Sequence, residues 1–379
     1  MFQRLPLFRP LMGAAGKLSC PAMGRKGYMF KVMIGAIPVL MAKFFSPSDR
    51  DAVLGALPQG ARRVVFIDTP ATEYLVATLE ALVAQGVDVV VRDHHDAPAR
   101  SNPREVAIAD AAERVRELLG GNAVVSNRAA HPACSGLVAA GEFAGEGTVI
   151  VADPDPDGLL GAMKAAGVVY DGLDQDADVL DGGRAGQTAE RLTPNALLLT
   201  RAMASLPPFD AARPQVSEEA KGKLFADFVA MVGGDPEARA RLERGVEAYE
   251  AGVAEARRLA ATVQEILPGV VIVDVTASPR FDLGTLAAAM EARPGVVVTV
   301  QKKSFGPIAA NHGGVQFSLA VVKARQAEVN LQEMLPAGFT SSLEAGVISN
   351  TTFLLHVSQK VWVELILPAL WGRFYSSTA

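Results

Sequence analysis

The chain has 379 residues, half of them apolar, and a formal net charge of −5. That length suits two or three domains with a sizeable core, and the composition argues against disorder and against an extended basic surface for long nucleic acid. Its two cysteines, Cys20 and Cys134, give neither a zinc spacing nor a disulfide framework, which suits a cytoplasmic protein.

Residues 1–28 show no clean period and no signal-peptide pattern. The apolar stretch 32–42 is too short to span a bilayer and contains Gly35 and Pro38, so it reads as a buried strand and turn. No membrane partner is expected. From Ser46 the pattern becomes regular. Ser46-Pro47-Ser48-Asp49 starts a helix over 52–57. A strand over 63–67 ends at Asp68, a helix follows over 72–84, and a strand over 87–91 leads into Asp93-His94-His95. Strand, helix and strand with short connections are the mark of a parallel sheet. A helix over 102–119 and a strand over 123–126 lead to Asn127-Arg128-Ala129-Ala130-His131, where Arg128 and His131 either contact phosphate or simply open a helix. Cys134 reads as a buried small residue. The strand 149–152 ends in Asp153-Pro154-Asp155-Pro156-Asp157-Gly158, and a helix is expected over 159–166.

Three strand ends therefore carry carboxylate or imidazole. Ligands bind beyond the carboxyl ends of such strands, and His and Asp are residue types that hold divalent metals and move protons. In an extended segment Asp153, Asp155 and Asp157 share one side, although every residue in that run also suits a solvated turn. A cluster of carboxylates needs a counter-charge, which a pair of divalent cations supplies.

Asp93-His94-His95 resembles the signature of the DHH phosphoesterases, a superfamily of RecJ-type exonucleases, nanoRNases, cyclic-di-AMP phosphodiesterases and family II pyrophosphatases. Asp153 to Gly158 resembles its His-x-Asp-x-Asp-Gly motif, with Asp153 in the place of His. Asp68 matches the aspartate that closes a hydrophobic strand. The motif order is reversed, which a circular permutation of the catalytic domain explains. The resemblance implies two Mn2+ ions, with Mg2+ as the alternative, held by Asp68, His94, Asp153, Asp155, Asp157 and Asp181. Asp178 is the second choice for the last of these, within an acidic run that also reads as a solvated loop. His95 and Asp93 take the catalytic roles: His95 meets the phosphoryl group or leaving group, and Asp93 orients the histidines.

Further helices are expected over 193–205 and 217–232, and a long one from Asp235 to about Leu267. Beyond it come strands over 270–275, 296–301 and 315–322, a helix over 283–292, and a strand and helix over 353–370. This last part resembles the DHHA1 substrate-binding domain. Its Ser-x-Arg-Ser arginine is replaced by Ala320, and the expected glycine-histidine loop over 337–346 lacks its histidine. His312-Gly313-Gly314 supplies a similar group earlier in the chain. Lys302, Lys303, Lys323 and Arg325 supply positive charge there, or are ordinary surface residues. The expected architecture is α/β with two lobes. It comprises an N-terminal extension (1–45), a permuted DHH-like parallel-sheet domain (46–206), a helical linker (207–267) and a smaller DHHA1-like domain (268–379). The expected activity is two-metal hydrolysis of short oligonucleotides or nucleotide phosphates, with a homodimer as a possible assembly. Pyrophosphate or polyphosphate hydrolysis is one alternative, and a decayed nucleotide-binding protein is the other.

Overall fold

The computed structural model describes residues 29–97, 100, 103–182, 189–207, 214–278, 280–326, 328–336, 342 and 345–375. Gly183, Cys20 and most of the loop over 337–344 lie outside the described residues.

The protein is α/β, built on two six-stranded sheets. In the first, a hairpin of β1 (Met29–Ile34) and β2 (Ile37–Ala42) joins β3 (Arg63–Ile67), β4 (Asp88–Asp93), β5 (Ala123–Val125) and β6 (Thr148–Ala152). The strand order is β1-β2-β6-β3-β4-β5, and every pair except the β1–β2 hairpin is parallel. The hairpin turns at Gly35, whose φ of 58° suits glycine. The sheet therefore takes in residues 29–42, which precede the expected domain start at 46.

Both faces of this sheet are covered, which explains the consecutive apolar runs over 64–67, 89–91 and 149–152. Val65, Ile67, Ile150 and Ala152 face one core with Phe225 and Phe228. Val64, Phe66, Val149 and Val151 face the other. That second core is closed by α1 (Pro47–Ala56), α2 (Glu73–Ala84) and α3 (Pro103–Leu119). The first is closed by α4 (Pro156–Ala166), α5 (Leu173–Gly182), α6 (Pro194–Ala202) and α7 (Pro214–Val232).

Helix α8 (Pro236–Ala260) begins with Asp235 as its cap and Pro236 in the first turn. Its Leu242 lies in the first sheet's core, and its Ala256 and Leu259 lie in a core of the second sheet. It is shorter than expected. The Thr262 hydroxyl donates to the Leu259 carbonyl at 2.8 Å, and the chain leaves the helix as β7 (Gln264–Leu267). Leu267 is pulled into the second sheet's core, and Pro268-Gly269, with Gly269 at φ 75°, turns it back as a hairpin with β8 (Val270–Asp274).

The second sheet runs β11-β12-β10-β9-β8-β7. Its remaining strands are β9 (Val298–Lys303), β10 (Gln316–Val321), β11 (Val347–Thr351) and β12 (Leu354–Ser358), and only β8–β9 is parallel. Here the strands alternate. Val298, Val300, Phe317, Leu319, Leu355 and Val357 form the core on one face with Trp362 and Ile366. Gln301 pairs with Ser318, and Ser318 with His356, across the other face. Helix α9 (Leu283–Glu291) covers the β8 end of that face. Among the described residues no helix is long and apolar enough to cross a membrane.

Candidate metal centre

Ile67 pairs in register with both Arg92 and Ala152. The next residues, Asp68, Asp93 and Asp153, therefore leave the sheet at one level, on one edge. Asp68 adopts φ 57°, a left-handed conformation that costs a non-glycine residue roughly 1–2 kcal/mol. Its N–H donates to the Arg92 carbonyl at 3.0 Å, and the residue is buried at 2% exposure. Strain held at a buried carboxylate is the pattern of a functional constraint.

His94 lies fully buried beside it. Its Nδ1 is 3.0 Å from the carbonyl of His131. A carbonyl only accepts, so Nδ1 carries a proton and Nε2 is the nitrogen turned to Asp68. That Nε2 lies 3.0 Å from Asp68 Oδ1. Neither atom has a hydrogen-bond partner among the described residues. Leaving such atoms buried costs roughly 1–3 kcal/mol each. A shared cation removes that cost, since two ligand atoms at about 2.1 Å and a right angle to one ion stand about 3 Å apart.

Further carboxylates and an imidazole surround this pair. Ligand atoms of Asp68, Asp155 and Asp157 lie within 4.8 Å of one another, as do those of His94, His95 and Asp181. Asp181 comes from the last turn of α5, so from Asp174 on the acidic run is helical and not the solvated loop it also suggested. Asp178 lies one turn earlier on the same helix. Burial, then the contact with His94 and the charges of His95 and His94, act on Asp68 in opposite directions, and the histidines prevail to hold it below the usual carboxylate range. Burial opposes a proton on His94, but Asp68 outweighs it and raises the imidazole. Burial and then the charges of Asp68, Asp155 and Asp181 push Asp157 up to about 11. Burial also raises Asp181, against the pull of Arg128. Without a cation the nest therefore holds protons, which a divalent ion displaces.

Asp153 stands apart. The acidic motif is not extended through its length: Asp155 is the cap of α4, its Oδ1 accepting from the Gly158 N–H at 3.1 Å, and Asp157 already lies in the first turn. The alternation that would align all three carboxylates ends at Asp155, and Asp153 joins none of the ligand groups. It lies 3.7 Å from Lys43 Nζ. Burial and Asp155 push its carboxyl up to about 9. Gly158 is required by contact: a Cβ there would lie 2.5 Å from the Asp153 carbonyl oxygen and 3.0 Å from Asp155 Oδ1.

His95 is oriented from both sides. Its Nδ1–H donates to Asp93 Oδ1 at 2.8 Å, and its backbone N–H donates to Asp93 Oδ2 at 3.1 Å. Nε2 then accepts from Arg128 Nη2 at 3.1 Å, and the same Nη2 donates to Asp181 Oδ1 at 2.7 Å. Arg128 is exposed beside these partners. His131 reaches the site through its carbonyl, which fixes the His94 ring. Cys134 is buried, as its sequence context suggested, and its sulfur also groups with Asp68 and His94. Burial, then the surrounding carboxylates, push its thiol well above the usual range, so it is a neutral thiol here.

The other expected substrate residues lie on the second sheet and its loops. Lys302 is paired with Asp274 at 2.7 Å, and Arg325 with Glu328 at 2.7 Å. Burial pushes the half-buried Lys303 down to about 8. His312 lines a cavity of about 590 Å³ with Ser358, Lys360 and Glu364. Gly313 and Gly314 both take φ 81°, a turn open to glycine.

The fold and site together define an α/β protein with a candidate divalent-metal centre at a parallel sheet edge. No family model matches the chain, and neither does any curated protein. Among solved structures it is similar to a pGpG-specific phosphodiesterase, PggH from Vibrio cholerae, at 12% identity and a TM-score of 0.35, covering 83% of this chain and 99% of that one. It is also similar to the DHH domain of a member of a family of ribosomal proteins, at 13% identity and a TM-score of 0.39, covering 87% and 75%.

Proposed function

We propose that the protein is a metal-dependent phosphoesterase that hydrolyses short oligonucleotides or nucleotide phosphates. The observation that carries this reading is the buried pair Asp68 Oδ1 and His94 Nε2, 3.0 Å apart and without hydrogen-bond partners among the described residues. Asp68, His94, Asp155, Asp157 and Asp181 would hold Mn2+, or Mg2+ as the alternative, with imidazole favouring Mn2+. When bound, such an ion activates water and offsets charge on the phosphoryl oxygens. The chain's own residues do the rest. Arg128 is exposed beside His95 and takes the substrate phosphate by charge-assisted hydrogen bonds. Its departure from His95 frees Nε2 to take a proton from the attacking water and pass it to the leaving oxygen. Asp93 keeps the proton on Nδ1 and so fixes which nitrogen is available. A permuted DHH domain accounts for the motif order, since Asp68, Asp93 and Asp153 end neighbouring parallel strands.

A second reading, a nucleotide-binding protein without turnover, is favoured by Asp153 lying outside the ligand groups. A hydrolysis screen in Mn2+ against pApA, pGpG, short RNA and DNA, cyclic dinucleotides and pyrophosphate separates the two. Turnover of a short phosphodiester, lost in Asp68→Asn, is the expected result. Binding without turnover selects the second reading, and turnover of pyrophosphate alone selects a pyrophosphatase.

A further inference from the structure

Two lysines from outside the catalytic motifs are built against the acidic loop. Lys43 follows β2, the strand that pairs with β6, and its Nζ lies 3.7 Å from Asp153 Oδ2. Lys221 projects from α7, is half-buried, and donates to the Pro154 carbonyl. Arg128 faces Asp181 from the other side at 2.7 Å. Fixed cations of the chain thus already offset part of the charge that divalent ions would otherwise balance. The ligand groups also overlap: three of the four contain Asp68 and the remaining one contains His94, whose Nε2 is 3.0 Å from Asp68. Every group thus includes Asp68 or His94. Asp153, which stands where the resembled motif has a histidine, lies against both Asp155 and the Lys43 ammonium.

We infer that this centre holds one divalent cation, on Asp68 and His94, and that the Lys43 ammonium at Asp153 stands in place of a second. The inference rests on the metal-dependent reading above and refines it. Coulomb's law gives the reason. An ammonium 3.7 Å from Asp153 repels a divalent ion there. A single ion still offers Lewis-acid assistance at the phosphoryl group, with Lys43, Lys221 and Arg128 supplying the fixed charge that the second ion supplies elsewhere.

The test is the stoichiometry of tightly bound Mn2+ on the full chain, by elemental analysis after gel filtration, together with the electron paramagnetic resonance spectrum of the bound ion. The expected result is one Mn2+ per chain with the spectrum of an isolated ion. Lys43→Met should admit a second ion and produce the spectrum of an exchange-coupled pair. Asp153→Asn should keep the single ion. Two coupled ions in the unaltered chain overturn the inference while leaving the phosphoesterase reading intact. No bound ion in the unaltered chain overturns both. One ion in both the unaltered chain and Lys43→Met removes Lys43 from the role. Circular dichroism spectra of each variant check the fold.

Discussion

Stripped of divalent ions, the protein is expected to lose stability as pH rises from about 6.5 to about 8. Asp157 is pushed up to about 11 by burial and the surrounding carboxylates, and Asp153 to about 9 by burial and Asp155. The folded chain thus keeps protons that the unfolded chain, with carboxyls near about 4, has released. Where the folded state binds more protons, stability falls with rising pH, until the pH passes the folded pKa. Asp153 and Asp157 both feel Asp155, so they are counted as one retained proton, about 1.4 kcal/mol per pH unit and roughly 2 kcal/mol across the window. The window opens near 6.5 because His356, held down to about 4 by burial and Lys303, acts in the opposite sense below that point. It closes near 8 because Lys303, pushed down to about 8 by burial, begins to add stability above it. A change of that size lowers Tm by roughly 4–8 °C on the trend of domains of 150–250 residues. Thermal melts of chelated protein across the window read the slope, and Asp157→Asn should flatten it. Excess Mn2+ should abolish the slope, and calorimetry in two buffers of different ionisation heat should show protons released on binding. A chelated protein whose Tm is flat or rises between these pH values refutes the protonated nest.

Three further outcomes are expected. Asp68→Asn and Asp68→Ala should both lose Mn2+ binding and hydrolysis, but alanine should also cost stability in chemical denaturation, by about 1 kcal/mol, because asparagine tolerates the left-handed φ of 57° better. Gly158→Ala should destabilise by roughly 1–3 kcal/mol and weaken Mn2+ binding, because its Cβ would meet the Asp153 carbonyl at 2.5 Å; an unchanged melt and affinity would contradict this. In a length series of labelled RNA and DNA at fixed Mn2+, di- to tetranucleotides should be cleaved far faster than a twenty-mer, with a shallow salt slope of about −0.7 per phosphate contact; rates that climb with length would point to a processive exonuclease.

The parallel sheet was legible because its strands are apolar at consecutive positions and end in acids, a pattern that only burial on both faces and a ligand-bearing edge explains. The second sheet was legible in its strands for the opposite reason, the alternation of Phe317 and Leu319 with Ser318 and Ala320. The end of α8 was not legible. Residues 261–267 carry no proline or glycine, and helical and extended readings of Val263, Ile266 and Leu267 are equally apolar. The hairpin with β8 and the core it completes decide the matter, and both are tertiary effects absent from a local window.

The site was legible in its motifs and illegible in how those motifs divide their labour. Asp155 was expected to continue an extended run, yet it is followed by proline and sits three residues before Gly158, a spacing that caps a helix as readily as it lines a strand edge. Once it caps α4, Asp157 rotates toward Asp68 and Asp153 is left with Lys43, a residue more than a hundred positions away whose approach depends on β2 pairing with β6. The same holds for His131. Its imidazole suggested phosphate binding, but its carbonyl does the work of fixing the His94 tautomer, and any residue type has a carbonyl. The closeness of Cys134 to Asp68 and His94 gave no sequence signal, because it comes from the chain continuing past that same carbonyl into the core. Side-chain chemistry at strand ends can be read from a sequence; backbone contacts and charges delivered from distant elements enter only with the fold, and here they set which carboxylates are open to a cation.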